Sequence, residues 1–223
     1  MIDRMETVTG YELHVFNSTM EYGIPSLWVI AKNNKPQGMN LICAAGSHPD
    51  PVRALKSSIY ELAGMMQSLD GKSEGNREAS ERMLRDPYLV REMEHHSMLY
   101  GLPEAEERLH FLLKNDRPSQ TFDEAFKPRA RYADLTEDLK EILAAFRRLQ
   151  LDVIVVDQTA PELRRAGLWC VKVLIPGLLP MTFGYHLTRL TGLERVLKVP
   201  QLLGYTQEPL APGQLNPHPH PFP

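Results

Sequence analysis

Residues 11–17 (YELHVFN) alternate apolar and polar side chains and predict a strand, because a strand turns successive side chains to opposite faces. The apolar runs at 26–31 and 39–44 predict two more strands. The segment 33–38 between them (NNKPQG) is dense in turn-forming residues, so the pair reads as a hairpin. Gly46-Ser47-His48-Pro49-Asp50-Pro51 is a loop running into a helix over about 51–68, with Ala54, Leu55, Ser58, Leu62 and Met65 as its apolar or small stripe. Residues 71–131 are charged and helical in pattern, with breaks at Pro87, Pro103, Pro118 and Pro128. They predict a helical lobe that packs through Met83, Leu84, Leu89, Met93, Leu109, Phe111, Leu112 and Leu113. Asp134 is placed to cap a helix, with Glu137 as capping-box partner and Leu135, Leu139, Ile142, Leu143, Phe146 and Leu149 at helical spacing. Residues 151–156 form a nearly continuous apolar run, the pattern of a strand covered on both faces. A short helix from Pro161 to Gly167 and a second apolar strand at 168–175 follow, which predicts parallel neighbours. No periodic element is predicted after Pro200. The pattern describes an α/β or α+β fold with a mixed sheet flanked by helices, residues 1–205 forming the folded part and 206–223 an extended tail.

Composition narrows the function classes. The chain has 223 residues, 43% hydrophobic and 24% charged, enough for a substantial core. A net charge of −3 gives no bulk electrostatic reason to expect nucleic acid or an anionic membrane as partner. No apolar run approaches the roughly 18 residues needed to span a bilayer, and the first residues carry no signal-peptide block. The two cysteines, Cys43 and Cys170, each sit in an apolar run, which predicts buried thiols, no disulfide framework and a reducing cytoplasm.

Several groups could carry chemistry. A strand ending at Gly46 and feeding a helix is a natural anion site. Ser57, Glu61 and Gly64 share one face of that helix by spacing, and a hydroxyl and a carboxylate one turn apart could hold a hydrated magnesium. A capped helix with an exposed Glu61 is the competing reading. His95-His96 point about 100° apart on a helix, which disfavours chelation and predicts a solvated face. Asp157-Gln158-Thr159 end a strand where ligands often bind, or cap the next helix. Arg164, Arg165, Arg189 and Arg195 could reach a phosphate or simply be solvated. The tail 217–223 alternates proline with His218, His220 and Phe222, cannot be helix or sheet interior, and predicts a stiff polyproline-type segment. A disordered tail or an adaptor ligand is the plainer alternative.

Together these segments resemble the YcaO family, in particular the cyclodehydratases of azole-modified peptide biosynthesis. The resemblance is carried by 44–51 (AAGSHPDP), 54–62 (ALKSSIYEL), 155–162 (VVDQTAPE), 167–173 (GLWCVKV), 175–180 (IPGLLP) and the ending Pro219-x-Pro221-x-Pro223. It implies the C-terminal part of a cyclodehydratase that uses ATP and Mg2+ to turn Cys, Ser or Thr of a ribosomal precursor peptide into azolines. By resemblance, Lys56, Ser57 and Glu61 bind ATP, Glu61 also binds the metal, and Pro219, Pro221 and Pro223 belong to the catalytic site. The implied partners are the precursor peptide, a leader-peptide-binding protein and an N-terminal half of the domain; a half-domain also exposes surface that predicts a homodimer. A non-catalytic peptide- or partner-binding remnant is the alternative. Gly64 stands where the family often has Gln, Gln67 is rotated off that face, and the family's first nucleotide motif is not found.

Overall fold

The computed structural model describes residues 1–69, 71–114, 118–127 and 134–223. In chain order its elements are α1 (Ile2–Thr9), β1 (Tyr11–Asn17), β2 (Ser26–Asn33), β3 (Leu41–Ser47), α2 (Pro51–Leu69), α3 (Lys72–Arg85), α4 (Met93–Tyr100), α5 (His110–Leu113), α6 (Phe122–Ala125), α7 (Leu135–Arg148), β4 (Ile154–Asp157), α8 (Pro161–Arg165), β5 (Val171–Leu174) and α9 (Glu194–Leu202), with short 3-10 turns between them. The class is α/β, as the pattern predicts. The expected break at Pro128 and the lobe boundary at Arg131 lie outside the described residues.

The three predicted strands form an antiparallel sheet in the order β1-β2-β3, with Val15 opposite Val29 and Val29 opposite Ala44. Strand alternation divides its residues between two cores. Val29, Ala31, Ile42 and Ala44 pack with Leu62 and Leu69 of α2. Ile30, Leu41 and Cys43 face the other way and pack with Met83, Val90, Leu99, Tyr100 and Leu109 of the helical lobe. The lobe therefore supplies a whole layer of the core. Of its predicted packing residues, Met83 and Leu109 are buried, while Met93 and Phe111 are exposed.

Helix α2 lies close against β3. A Cβ at Gly46 would stand 2.5 Å from the Ala54 carbonyl oxygen and 2.7 Å from the Ser58 backbone nitrogen. Only glycine permits this approach. Ser58, fully buried, hydrogen bonds back to Ala54 O at 2.9 Å and lies 3.2 Å from Leu27 O, so its hydroxyl is satisfied at the contact.

The later part differs from expectation. Strands β4 and β5 are antiparallel, Val155 opposite Val173, and form a separate sheet of two strands. A parallel return needs a crossover long enough to carry the chain back along the strand. Helix α8 has five residues, about 8 Å at 1.5 Å per residue, and the chain instead turns at Gly167 in the left-handed region (φ 71°). The strands expected to be covered on both faces are exposed on both faces. Cys170, expected to be buried, is exposed with them; its backbone N–H and carbonyl pair with the Thr159 hydroxyl at 3.0 and 3.2 Å. Asp134 caps α7 through Thr136 N (2.8 Å), but Glu137 pairs with Lys140 in place of closing a capping box. Helices α1 and α9 were not predicted.

Replacing Gly46 with Ala forces α2 off the sheet. The expected loss is about 1–3 kcal/mol of stability, read by urea denaturation. Burial pushes the Cys43 thiol up to about 12, so at neutral pH it stays protonated and inert. A maleimide should modify only Cys170 in the native chain and both thiols in urea.

Candidate functional site

The helix that carries the predicted nucleotide residues starts from a pinned loop. His48 N–H and the Ser47 hydroxyl both donate to Pro25 O, at 3.0 and 3.1 Å. Asp50 N–H donates to His48 Nδ1 at 2.8 Å, and the Asp50 carboxylate accepts from Val52 N–H at 3.0 Å and, more weakly, Arg53 N–H at 3.4 Å. A carboxylate thus occupies the helix N-terminus. The anion site expected there is filled by the chain's own negative charge.

Lys56, Ser57, Glu61 and Gly64 are all exposed on α2, outside the stripe that meets the sheet. Glu61 has no ion-pair partner among the described residues. Nor do the described residues hold any group of three or more His, Cys, Asp or Glu side chains able to bind a metal ion. One carboxylate and one hydroxyl are an incomplete magnesium set, since Mg2+ takes six oxygens and relies on phosphates, waters and further carboxylates. A cleft of about 420 Å3 opens at the Pro51 end of α2 between Pro25, Pro49, Phe126, Lys127 and Glu141; none of Lys56, Ser57 and Glu61 lines it.

Two of the four predicted arginines, Arg164 and Arg195, and the strand-end residues Asp157 and Thr159 are engaged locally. Arg195 makes a bidentate pair with Glu21, its second nitrogen 2.6 Å from Oε2. Arg164 holds Asp157 at 2.8 Å and lies over the Trp169 ring. Asp157 accepts from Thr159 N–H at 2.9 Å, so it closes a turn and does not cap α8, whose N-cap is Ala160. The Thr159 and Arg164 hydrogen bonds hold its carboxyl below the usual range.

The end of the tail, residues 219–223, is not solvated. Pro219 and Pro221 are buried, and His220, Phe222 and Pro223 half-buried. The Tyr100 hydroxyl donates to Pro219 O at 2.6 Å, and His96 Nδ1–H donates to His220 O at 2.7 Å. The His220 ring stacks on the His96 ring with centroids 3.9 Å apart, and Phe222 meets Trp28 at 4.9 Å. These partners lie on the lobe side of the sheet, with Ile30 and Cys43. Helix α2 lies on the other side. Within this chain the sheet separates Pro219, Pro221 and Pro223 from Ser57 and Glu61.

His96 overturns the expected solvated face. It is 1% exposed and fully bonded: Nδ1–H to His220 O, and Nε2 accepting from Gly184 N–H at 3.2 Å. Sequence spacing could not reveal this, because both partners lie far along the chain; the one signal was a second histidine in an otherwise proline-built tail. Burial drives the His96 pKa down to about 4, against the favourable bond to His220 O, with His220 and the adjacent His95 adding repulsion.

Below the ordinary value of 6.5 the unfolded chain takes up a proton that folded His96 refuses. Its contribution is therefore complete above pH 6.5 and lost as pH falls from 6.5 through 4, of order 3 kcal/mol in all. The wild type should lose more stability between pH 7 and 4.5 than a His96→Asn variant, by denaturant titration, and Gly184 amide exchange should accelerate over the same range.

Residues 1–179 match the profile of a family described as YcaO cyclodehydratase, ATP- and Mg2+-binding. The heterocyclase TruD superposes with a TM-score of 0.62 at 24% identity, covering 98% of this chain. A heterocyclase solved in complex with substrate and cofactor gives 0.65 at 24% identity, again over 98% of this chain. The chain spans 26% of the length of each, and at this identity the likeness speaks for the fold. No curated protein matches. The profile match over most of its length establishes that the chain belongs to the YcaO family.

Proposed function

We propose that the chain contributes to an ATP-dependent cyclodehydratase. In this reading a Cys, Ser or Thr side chain of a precursor peptide attacks the preceding amide carbonyl. The resulting oxyanion takes the γ-phosphoryl group of ATP, and phosphate then leaves, so that one azoline, ADP and phosphate form for each ATP. The observation that carries the reading is the family match over residues 1–179. Glu61 supplies one magnesium-binding carboxylate, Ser57 a hydroxyl and Lys56 a phosphate-directed charge, all from the exposed side of α2. Pro219, Pro221 and Pro223 have no group to exchange a proton and enter as positioning residues.

Two features support a contribution from a further polypeptide, the rest of the family domain. The carboxylate set on α2 is incomplete, and strands β4 and β5 are apolar yet exposed on both faces, Val155 by 58% and Val173 by 51%. Helix α7 likewise exposes Leu135 and Leu139 from its apolar stripe. A leader-peptide-binding protein and a second copy of this chain are the other proposed partners. No described helix is long and apolar enough to cross a membrane; a cytoplasmic setting belongs to this proposal.

A second reading, a non-catalytic peptide- or partner-binding member of the family, draws on the separation of Glu61 from the tail by the sheet. Mixing the chain with the remaining part of a YcaO domain, ATP, Mg2+ and precursor peptide distinguishes the two. The enzymatic reading expects phosphate release that depends on the peptide and falls at least about a hundredfold with Glu61→Ala. The fold of that variant should be unchanged, because Glu61 has no ion pair to lose among the described residues. Peptide binding without phosphate release would overturn the enzymatic reading in favour of the second.

A further inference from the structure

The last five residues are held in a manner that belongs to ligands. Their walls come from three places: Trp28 on β2, His96 and Tyr100 on α4, and the segment Thr182, Phe183 and Gly184 after β5. The two strongest polar contacts, Tyr100 to Pro219 O at 2.6 Å and His96 to His220 O at 2.7 Å, go to consecutive backbone carbonyls. Contacts of that kind recognise an extended main chain. Buried prolines alternate with rings: Pro219 and Pro221 are seated, His220 lies flat on His96, and Phe222 packs on Trp28. The Phe183 ring stands edge-on to both histidines, at 6.2 Å from His96 and 6.1 Å from His220. An aromatic groove, donors aimed at carbonyls and alternating proline seats are the means by which polyproline-type peptides are bound, because the ligand is already extended before it docks.

The docking is also local. Residues 211–214 and 216–218 are exposed, and Leu215 is half-buried. Asn216 reaches Arg108 O only at 3.5 Å, and His218 N–H turns back to Asn216 Oδ1 at 3.0 Å. The tether thus adds little to the grip of the groove. One feature works against a permanent closure: His220 donates through Nε2 to Thr182 O at 3.0 Å, which leaves its buried Nδ1 with no hydrogen-bond partner among the described residues.

We propose that the groove walled by Trp28, His96, Tyr100 and Phe183 is a binding site for short, extended, proline-alternating peptides, filled by the chain's own residues 219–223 and able to take the same segment in trans. Linkage gives the resident tail a high effective concentration, about millimolar for a short flexible tether, so a free peptide competes poorly with an intact tail and well with a weakened one.

The test uses the full-length chain with Trp169→Phe, which leaves Trp28 as the single tryptophan of two. In that background His220→Ala and Phe222→Ala together weaken the resident tail. The probe is the free peptide NPHPHPFP, labelled at its N-terminus. Anisotropy should saturate, with a matching change in Trp28 emission, and the intact-tail chain should bind at least about tenfold more weakly. Tyr100→Phe in the groove, or Phe222→Ala in the peptide, should each weaken binding by about tenfold. The proposal is overturned if neither chain binds at millimolar peptide, or if a peptide with its prolines changed to alanine binds equally well. Should the weakened variant not fold, the intact-tail chain at high peptide concentration decides in its place: saturable binding that is lost when the peptide's prolines become alanine supports the proposal, and no binding at millimolar peptide overturns it. No ATP enters the assay, so its failure and the failure of the cyclodehydratase reading are distinguishable.

Discussion

Strand β2 has no face left for solvent. Val29, Ile30 and Ala31 are 0% exposed at three consecutive positions, so both sides of the β1-β2-β3 sheet must be covered. Each buried aliphatic side chain contributes about 1.5–3 kcal/mol only if its own face is closed. The two layers that close them follow from this. Helix α2 covers one face, as closely as Gly46 allows, and the lobe with the tail covers the other. The location of the candidate chemistry follows as well: residues on the outer side of α2 and residues of the tail are placed on opposite sides of a sheet that neither can cross.

The parts of the fold that were legible in the sequence are those set by local chemistry. The hairpin over β2 and β3 is announced by its turn residues, and α2 by Pro51 and the spacing of Ala54, Ser58 and Leu62. The parts that were not legible are set by partners distant in sequence or absent from the chain. An apolar run such as 154–156 reads the same whether it is buried within its own chain or left for another to cover, so burial on both faces was expected where exposure is found. His96 has the same ambiguity in reverse: beside His95 on a helix it looks solvated, and only residues 184 and 220 make it a core residue. Helices α1 and α9 both open without a side-chain cap, and α9 contains Pro200, so neither showed the usual starting signal. For the candidate site, the spacing of Ser57 and Glu61 correctly put them on one face, while their distance from the tail depended on which side of the sheet each layer packs.

The tail replaces a regular element in the second core. Proline supplies no backbone donor, so alternating prolines halve the number of N–H groups that an extended segment must pair when it is buried. Its carbonyls at 219 and 220 still need donors, and Tyr100 and His96 provide them. That arrangement fixes the charge state of His96. A carbonyl takes its Nδ1 proton and the Gly184 amide needs its Nε2 lone pair, so this imidazole must be neutral. Burial of the tail and neutrality of His96 are therefore one condition.

The constraint that organises the first sheet is unmet in the second. β4 and β5 carry Ile154, Val155, Val156, Val171, Val173 and Leu174, a composition like that of β2, yet every position is exposed. Covering both faces of such a ribbon would return on the order of 5–10 kcal/mol at about 25 cal/mol per Å2 of apolar surface. Association costs about 4–15 kcal/mol in lost freedom of motion, so the ribbon alone covers only part of it. The exposed Leu135 and Leu139 of α7, with Leu168 and Trp169 beside the ribbon in sequence, add the further apolar surface that a stable interface requires. A two-fold contact between copies of this chain would cover one face of the ribbon and leave the other wet. A polypeptide that extends the sheet and layers over it covers both, which favours the remainder of a YcaO domain over a second copy as the proposed partner of this surface.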